Sequence, residues 1–252
     1  MKGKKDMPKM EKIDLASESN VSIPVNRKER EYQLRRELII DVSEKLFYKK
    51  GYENVTLGDI AKHAEYTKKT LYSYITSKAE LYLEVYYRGL VKRRQYIADA
   101  MEKAKTGLEK ILVLGESYFA FFRENPQMLL LVQYFDYRGI EYDKVEKSVV
   151  DKFITFTRET NETHLKAFQL GLTDGTINPD ISIEIAYSQF ILCLRAITHQ
   201  AIISLENSPE KHYSAAFRSE YFQYFLKLFL HGIATKPMKL NKFTFPETEE
   251  KE

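Results

Sequence analysis

The chain has 252 residues, 44% of them hydrophobic, with 39 Lys+Arg against 36 Asp+Glu and a formal charge of +3. That composition excludes a disordered chain and is long enough for one large domain or two unequal ones. Its single cysteine, Cys193, excludes an intramolecular disulfide and a thiolate zinc site, and ten glycines with seven prolines are too few for a many-stranded β fold.

In chain order, residues 1–26 mix charged and polar residues without a sustained period and read as a flexible arm, as do residues 237–252. A first helix is predicted from Arg27 or Glu31 to Lys50, with Leu38, Ile39, Val42, Leu46 and Phe47 on its core face and Gly51 as its stop. Thr56 and Asp59 form a capping-box pattern that opens a second, short helix ending near Ala64, with Leu57, Ile60, Ala61 and Ala64 buried. After a turn at Glu65-Tyr66, Thr67 caps a third helix over residues 68–75, with Leu71 and Ile75 turned inward. Ser77 with Glu80 reads as a second capping box, opening a long helix to about Lys105. Turn signals at Thr106-Gly107, Asn125-Pro126, Arg138-Gly139, Asp174-Gly175 with Asn178-Pro179, and Asn207-Ser208-Pro209 divide the rest into about five more helices. Two of these, over residues 183–205 and 213–233, are apolar around most of their circumference, which points to burial on two sides. The expected class is all-α.

Two short helices joined by a tight turn behind a supporting helix have the layout of a helix-turn-helix, whose second helix enters the major groove. Between residues 62 and 78, four lysines (Lys62, Lys68, Lys69, Lys78) face Glu65 alone, a local excess of three positive charges equal to that of the whole chain. Thr67, Lys68, Lys69, Thr70, Tyr72, Ser73 and Tyr74 read as outward positions able to donate to phosphates or base edges. By composition alone, an ordinary solvated face accounts for the same lysines. Arg27, Lys28, Arg30, Arg35 and Arg36 supply further positive charge along the approach to the first helix and within it.

The order Gly51-Tyr52, Val55-Thr56, Asp59-Ile60-Ala61, Ala64, Thr67-Lys68, Thr70-Leu71-Tyr72, Tyr74-Ile75, Lys78-Ala79-Glu80-Leu81 resembles the TetR/AcrR regulator family over about residues 34–85. The later helices are similar only in length, amphipathicity and position. The resemblance implies a homodimeric, mostly repressing transcription factor. Its N-terminal three-helix helix-turn-helix domain, residues 27–78, would bind a DNA operator. A larger C-terminal helical domain, residues 79–236, would bind a small-molecule effector and dimerise. It further implies that Tyr72 and Lys78 contact backbone phosphates, that Thr56 presents its helix terminus to phosphate, and that Thr67, Lys68, Lys69 and Thr70 meet the groove with help from Ser73. Two departures stand out: Glu65-Tyr66 occupies a turn where the family often has glycine, and Ile75 stands where phenylalanine is usual.

In the C-terminal half, Tyr118, Phe122, Tyr134, Phe135 and Phe156 belong to an aromatic-rich region. It either lines a pocket for an apolar or aromatic effector or forms ordinary core. Arg195 and His199, four apart, share a helix face and either orient an anionic effector, meet a dimer partner or make a structural hydrogen bond. If the dimer forms as in the family, Phe190, Leu194, Phe217, Tyr221, Phe225 and Leu228 help build a four-helix interface.

Other chemistries find no motif. Asp174, Thr176, Asn178 and Asp180 alternate oxygens, but Pro179 and Ile185 stand where a calcium loop needs its glycine and glutamate. The five histidines lack metal spacing, and neither a phosphate loop nor a G-x-S-x-G elbow is present. The expectation is therefore no enzyme, no metal and no cofactor, with a DNA-indifferent helical interaction module or a ligand-dependent activator as the alternatives. No apolar run is long enough to span a bilayer and the N-terminus is polar, so a cytoplasmic location is expected; the Asn-x-Ser/Thr triplets at Asn20, Asn54 and Asn161 then read as chance.

Overall fold

A computed structural model describes residues 26–205, 207 and 213–236; the readings made for residues 1–25 and 237–252 lie outside them. Local capping chemistry sets most of the element starts. The side chain of Asn26 accepts from the Glu29 N–H and opens α1, Arg27–Lys50, which Gly51 stops at a φ of 74°. Thr56 and Asp59 form the reciprocal capping box that opens α2, Leu57–His63. Thr67 caps α3, Lys68–Leu71, by accepting from the Thr70 N–H. Ser77 caps α4, Lys78–Met101. The rest of the described chain forms α5, Gly107–Glu124, α6, Pro126–Arg138, a 3-10 turn at Tyr142–Lys144, α7, Lys147–Thr173, α8, Ile183–His199, and α9, Ala215–Ile233. Among the described residues, β pairing is limited to one antiparallel bridge between Ile177 and Ala234.

Four local expectations change. Leu38 is 45% exposed and the buried face of α1 is instead Ile39, Ile40, Ser43, Leu46 and Phe47. Ser43 tolerates that position because its hydroxyl donates to the Ile39 carbonyl at 2.7 Å. The third helix ends at Leu71 rather than Ile75: the chain turns through residues 72–74, and Ile75 enters the core from beyond the helix. The Glu80 carboxylate does not reach back to Ser77; it accepts from the Thr76 N–H and hydroxyl at 3.0 and 2.6 Å. The helix expected over residues 183–205 changes to a π-helical turn at Gln200–Ser204.

α4 organises the molecule, packing against α1 at its N-terminal end and against α5, α6 and α7 beyond it. Two sets of ion pairs, one turn apart along α4, fix it to α1. Arg36 bridges Glu80 and Glu84, and Arg88 meets Glu37, Asp41 and Glu44. At the far end, the oxygen-rich loop after α7 caps α5. Asp174 accepts from the Gly107 N–H at 2.7 Å and Thr176 from the Leu108 N–H at 3.3 Å. Those oxygens are therefore committed to a helix N-terminus, while Ser182 caps α8.

Candidate nucleic-acid interface

The scaffold under the reading surface is apolar and closed. Ile39, Val55, Ile60 and Leu71 are fully buried, with Ala61, Ala64 and Ile75 nearly so, which locks α1, α2 and α3 into one unit. On that unit Thr67, Lys68, Lys69, Tyr72 and Ser73 are exposed and Thr70 is half-buried. They form a contiguous face of two ammonium groups, three small hydroxyls and one phenol.

The hydroxyls differ in freedom. Thr67 and Thr70 share a hydrogen bond at 2.9 Å, and Ser73 donates to the Thr70 carbonyl at 2.6 Å, so these three hold one another in fixed orientations. Tyr72, 56% exposed, is free to reach outward. Tyr74, expected on the outer face, instead packs its ring between Tyr32 at 5.0 Å and Tyr66 at 6.2 Å. Lys78 is half-buried with its ammonium 4.1 Å from the Tyr52 ring centre, and that burial lowers its pKa.

The two arginines of α1 separate sharply. Arg35 is exposed beside this face, with Nη1 3.5 Å from the Tyr74 hydroxyl. Arg36 turns the other way into the ion-pair network with Glu80 and Glu84, at 3.0 and 2.8 Å. Its positive charge is spent inside the protein, which corrects the expectation that it faces DNA.

Glu65 occupies the turn between α2 and α3 at a φ of 59°, a left-handed conformation in which a side chain costs about 1 kcal/mol. It also places a carboxylate next to the lysines. Glu65→Gly is therefore expected to raise stability by about 0.5 kcal/mol, after the added flexibility of the unfolded chain is counted. It should also tighten binding to duplex DNA of any sequence; urea unfolding and DNA titration at fixed salt measure the two effects. A loss in both would show that the Glu65 side chain holds the turn.

The effector candidates do not line a single pocket. Tyr118 and Phe122 pack together at 4.8 Å, buried, while Phe135 packs on Tyr86 and Phe153. Tyr134 lies against Tyr52 and Tyr82, at the junction with the helix-turn-helix unit. Phe156 packs on Tyr87 beneath Arg94. Arg195 pairs with Asp136 of α6 at 2.7 Å, and His199 is half-buried with its pKa lowered by that burial. Those rings lie on α5, α6 and α7, each of which packs on α4, so Tyr118, Phe122 and Phe135 come near Arg93 and Tyr86 while Tyr134 and Phe156 have other ring neighbours. The reading of the sequence missed Arg93, Tyr86 and His164, which join Tyr118 and Arg195 in a polar core. Arg93 shares a helical face with Tyr86, Leu90 and Ile97, a periodicity hidden within the Lys92-Arg93-Arg94 charge run.

The proposed interface residues also divide. Phe190 and Leu194 have no exposed surface and fill the subunit's own core, so they are corrected to interior positions. Phe225 is half-buried; Phe217, Tyr221 and Leu228 are exposed on α9. Ile185, Leu192 and Tyr224, which were not singled out in the sequence, extend that exposed apolar face over α8 and α9, with Leu192 at 70%. Among the described residues, no group of histidine, cysteine or carboxylate side chains can hold a metal ion, and no helix is long and apolar enough to cross a membrane.

Residues 39–85 match the family model described as bacterial regulatory proteins, tetR family. The chain is 26% identical over 132 residues to the HTH-type transcriptional regulator QacR of Staphylococcus aureus, covering 50% of this chain and 70% of that one. It is 26% identical over 162 residues to the HTH-type transcriptional repressor KstR2 of Rhodococcus jostii, covering 61% and 72%. A solved tetR-family regulator from Shewanella superposes over 80% of this chain and 99% of its own, with a TM-score of 0.57 at 18% identity, a likeness of fold.

Proposed function

The chain belongs to the TetR/AcrR family of DNA-binding transcriptional regulators, and from that premise we propose that it is a cytoplasmic repressor that binds a palindromic operator as a homodimer and releases it when a small-molecule effector binds the C-terminal helices. One observation carries the reading most directly: Lys68, Lys69, Thr70, Tyr72 and Ser73 share a surface on a closed apolar scaffold. That combination suits a groove lined by phosphates better than bulk solvent. In this assignment residues 27–78 read DNA, with Thr56, Thr67 and Arg35 beside the groove and Lys78 at its edge, and residues 79–236 hold the effector and the dimer. The apolar face of Ile185, Leu192, Tyr224 and Leu228 is where a second copy would pack. Repression follows the Rhodococcus relative, which is named a repressor, and activation is the second reading because a Mycolicibacterium smegmatis relative, 30% identical over 103 residues, is named an activator.

Selection of sites from random duplexes with purified protein at near-physiological salt tests this. Enrichment of a palindrome supports a dimeric reader, and a folded protein that enriches nothing with or without cell extract rules it out in favour of an interaction module. On the selected site, Tyr72→Phe is expected to weaken binding about equally across sequence variants. Lys69→Ala, the base-reading candidate, should change preference among them by about 1 kcal/mol or more at one position. A uniform loss for Lys69→Ala would reassign it to the phosphates.

A further inference from the structure

The interior face of α4 carries an arginine. Arg93 is 8% exposed, and among the described residues no carboxylate and no hydrogen-bond acceptor meets it. Its Nη1 is cut off from solvent and unsatisfied. The guanidinium rests 5.2 Å from the Tyr118 ring centre and 5.9 Å from that of Phe122, contacts much weaker than the water it has lost.

A second guanidinium acts at the same place. Arg195 of α8 donates from Nη1 to Asp136, while its Nε is buried and unsatisfied. Both arginines bear electrostatically on Tyr86, Tyr118, Asp136 and Tyr187. The Tyr118 hydroxyl, next to Arg195 but short of hydrogen-bond geometry, is a third buried group without a partner. His164 of α7 adds no charge: burial, and then the field of Arg93, push its pKa down to about 3. Two cations therefore share one carboxylate, and the cluster is one negative charge short. The Asp136–Arg195 pair is partly exposed and Arg93 is not, so a molecule arriving from solvent meets Arg195 first.

We propose that Arg93 and Arg195 form the anion-binding end of the effector site, and that its ligand is a carboxylate monoanion with an apolar body. A planar carboxylate supplies the missing charge and accepts from the two nitrogens that have no acceptor. The neighbouring rings, Phe122 beside Tyr118 and Tyr86 with Phe135 and Phe153, are closed on one another, so the apolar body enters by parting them. Arg93 lies on α4, whose first turns are pinned to α1 by Arg36, so a pull on it is felt at the DNA-reading unit. The consequence for DNA rests on the repressor reading; the binding itself does not.

The test uses the full chain with benzoate and decanoate as probes and decanol and decyltrimethylammonium as controls, followed by thermal melting, calorimetry and release of the selected duplex. At least one carboxylate should bind, and at least tenfold more tightly than either control. Arg93→Met should raise the Tm of the unliganded protein by about 3 °C, because it removes an unpaired buried charge, and should weaken carboxylate binding at least tenfold. Arg195→Met provides the same binding readout if the first variant does not fold. The proposal is overturned if neither carboxylate binds, if decanol binds as well as decanoate, or if the variants bind carboxylate as the parent does. Carboxylate binding that leaves the duplex bound keeps the anion site and removes the effector reading. Release by decanol without carboxylate binding does the reverse.

Discussion

Replacing Arg36 with alanine is expected to lower the unfolding free energy by about 3 kcal/mol and to weaken DNA binding at the temperature where the parent binds fully. The effect is large because of what remains behind. Glu80 and Glu84 are 1% and 5% exposed, and Arg36 meets them at 3.0 and 2.8 Å. Lys152 approaches only Glu84, at 3.4 Å, so without Arg36 Glu80 keeps only its hydrogen bonds from Thr76. A surface pair would contribute a fraction of this. Arg36→Lys should retain only part of the stability, since one ammonium replaces a planar group bridging two carboxylates. Arg36→Met combined with Glu80→Gln and Glu84→Gln should recover most of it, because no buried charge is then stranded. Urea unfolding followed by circular dichroism measures the series. A loss below about 0.5 kcal/mol for Arg36→Ala would mean that the network is solvated and that Arg36 is available to DNA after all.

Gly107→Ala is expected to destabilise the C-terminal helices by about 3 kcal/mol, at the upper end for an overpacked site. A Cβ at this position would lie 2.0 Å from the Gly171 nitrogen, 2.3 Å from its Cα and 2.6 Å from the Ala167 carbonyl oxygen. All three are backbone atoms of α7, so no rotamer change relieves the clash. Retreat of α5 would also break the bond from the Gly107 N–H to Asp174 at 2.7 Å and the one from the Leu108 N–H to Thr176. Loss of those caps adds to the clash. Gly58→Ala is the useful contrast, since its new methyl meets the far end of the flexible Lys68 side chain at 2.8 Å and otherwise the Thr56 hydroxyl at an ordinary 3.4 Å. Thermal melting of the pair should show a large drop for Gly107→Ala and a small one for Gly58→Ala; equal drops would indicate that α5 and α7 shift apart freely.

Much of the helical layout was legible because it is local. Asn125-Pro126, Thr106-Gly107 and the Thr56-Asp59 capping box mark starts by chemistry that acts over three or four residues, and the helices begin there. The end of α3 was not legible, since Ile75 satisfies helical spacing equally well from a turn that reaches the same core. The candidate site divides in the same way. Lys68 and Lys69 lie outward on a short capped helix and Tyr72 lies outward in the turn that ends it. Arg35 and Arg36 are adjacent on α1 and equally basic, yet one is exposed and the other is half-buried against α4.

Helix starts, the all-α class and the basic helix-turn-helix follow from neighbours in the chain, because capping, periodicity and local charge need no distant partner. The partner of each long side chain was decided only when α4 met its neighbours. Glu80 and Glu84 drew Arg36 inward, the stack of α8 and α9 sealed Phe190 and Leu194 while leaving Leu192 and Leu228 outside, and Arg93 was enclosed without a carboxylate. Helical periodicity says which residues share a face, but what that face meets depends on crossing and rotation between helices far apart in the chain, which no local pattern encodes.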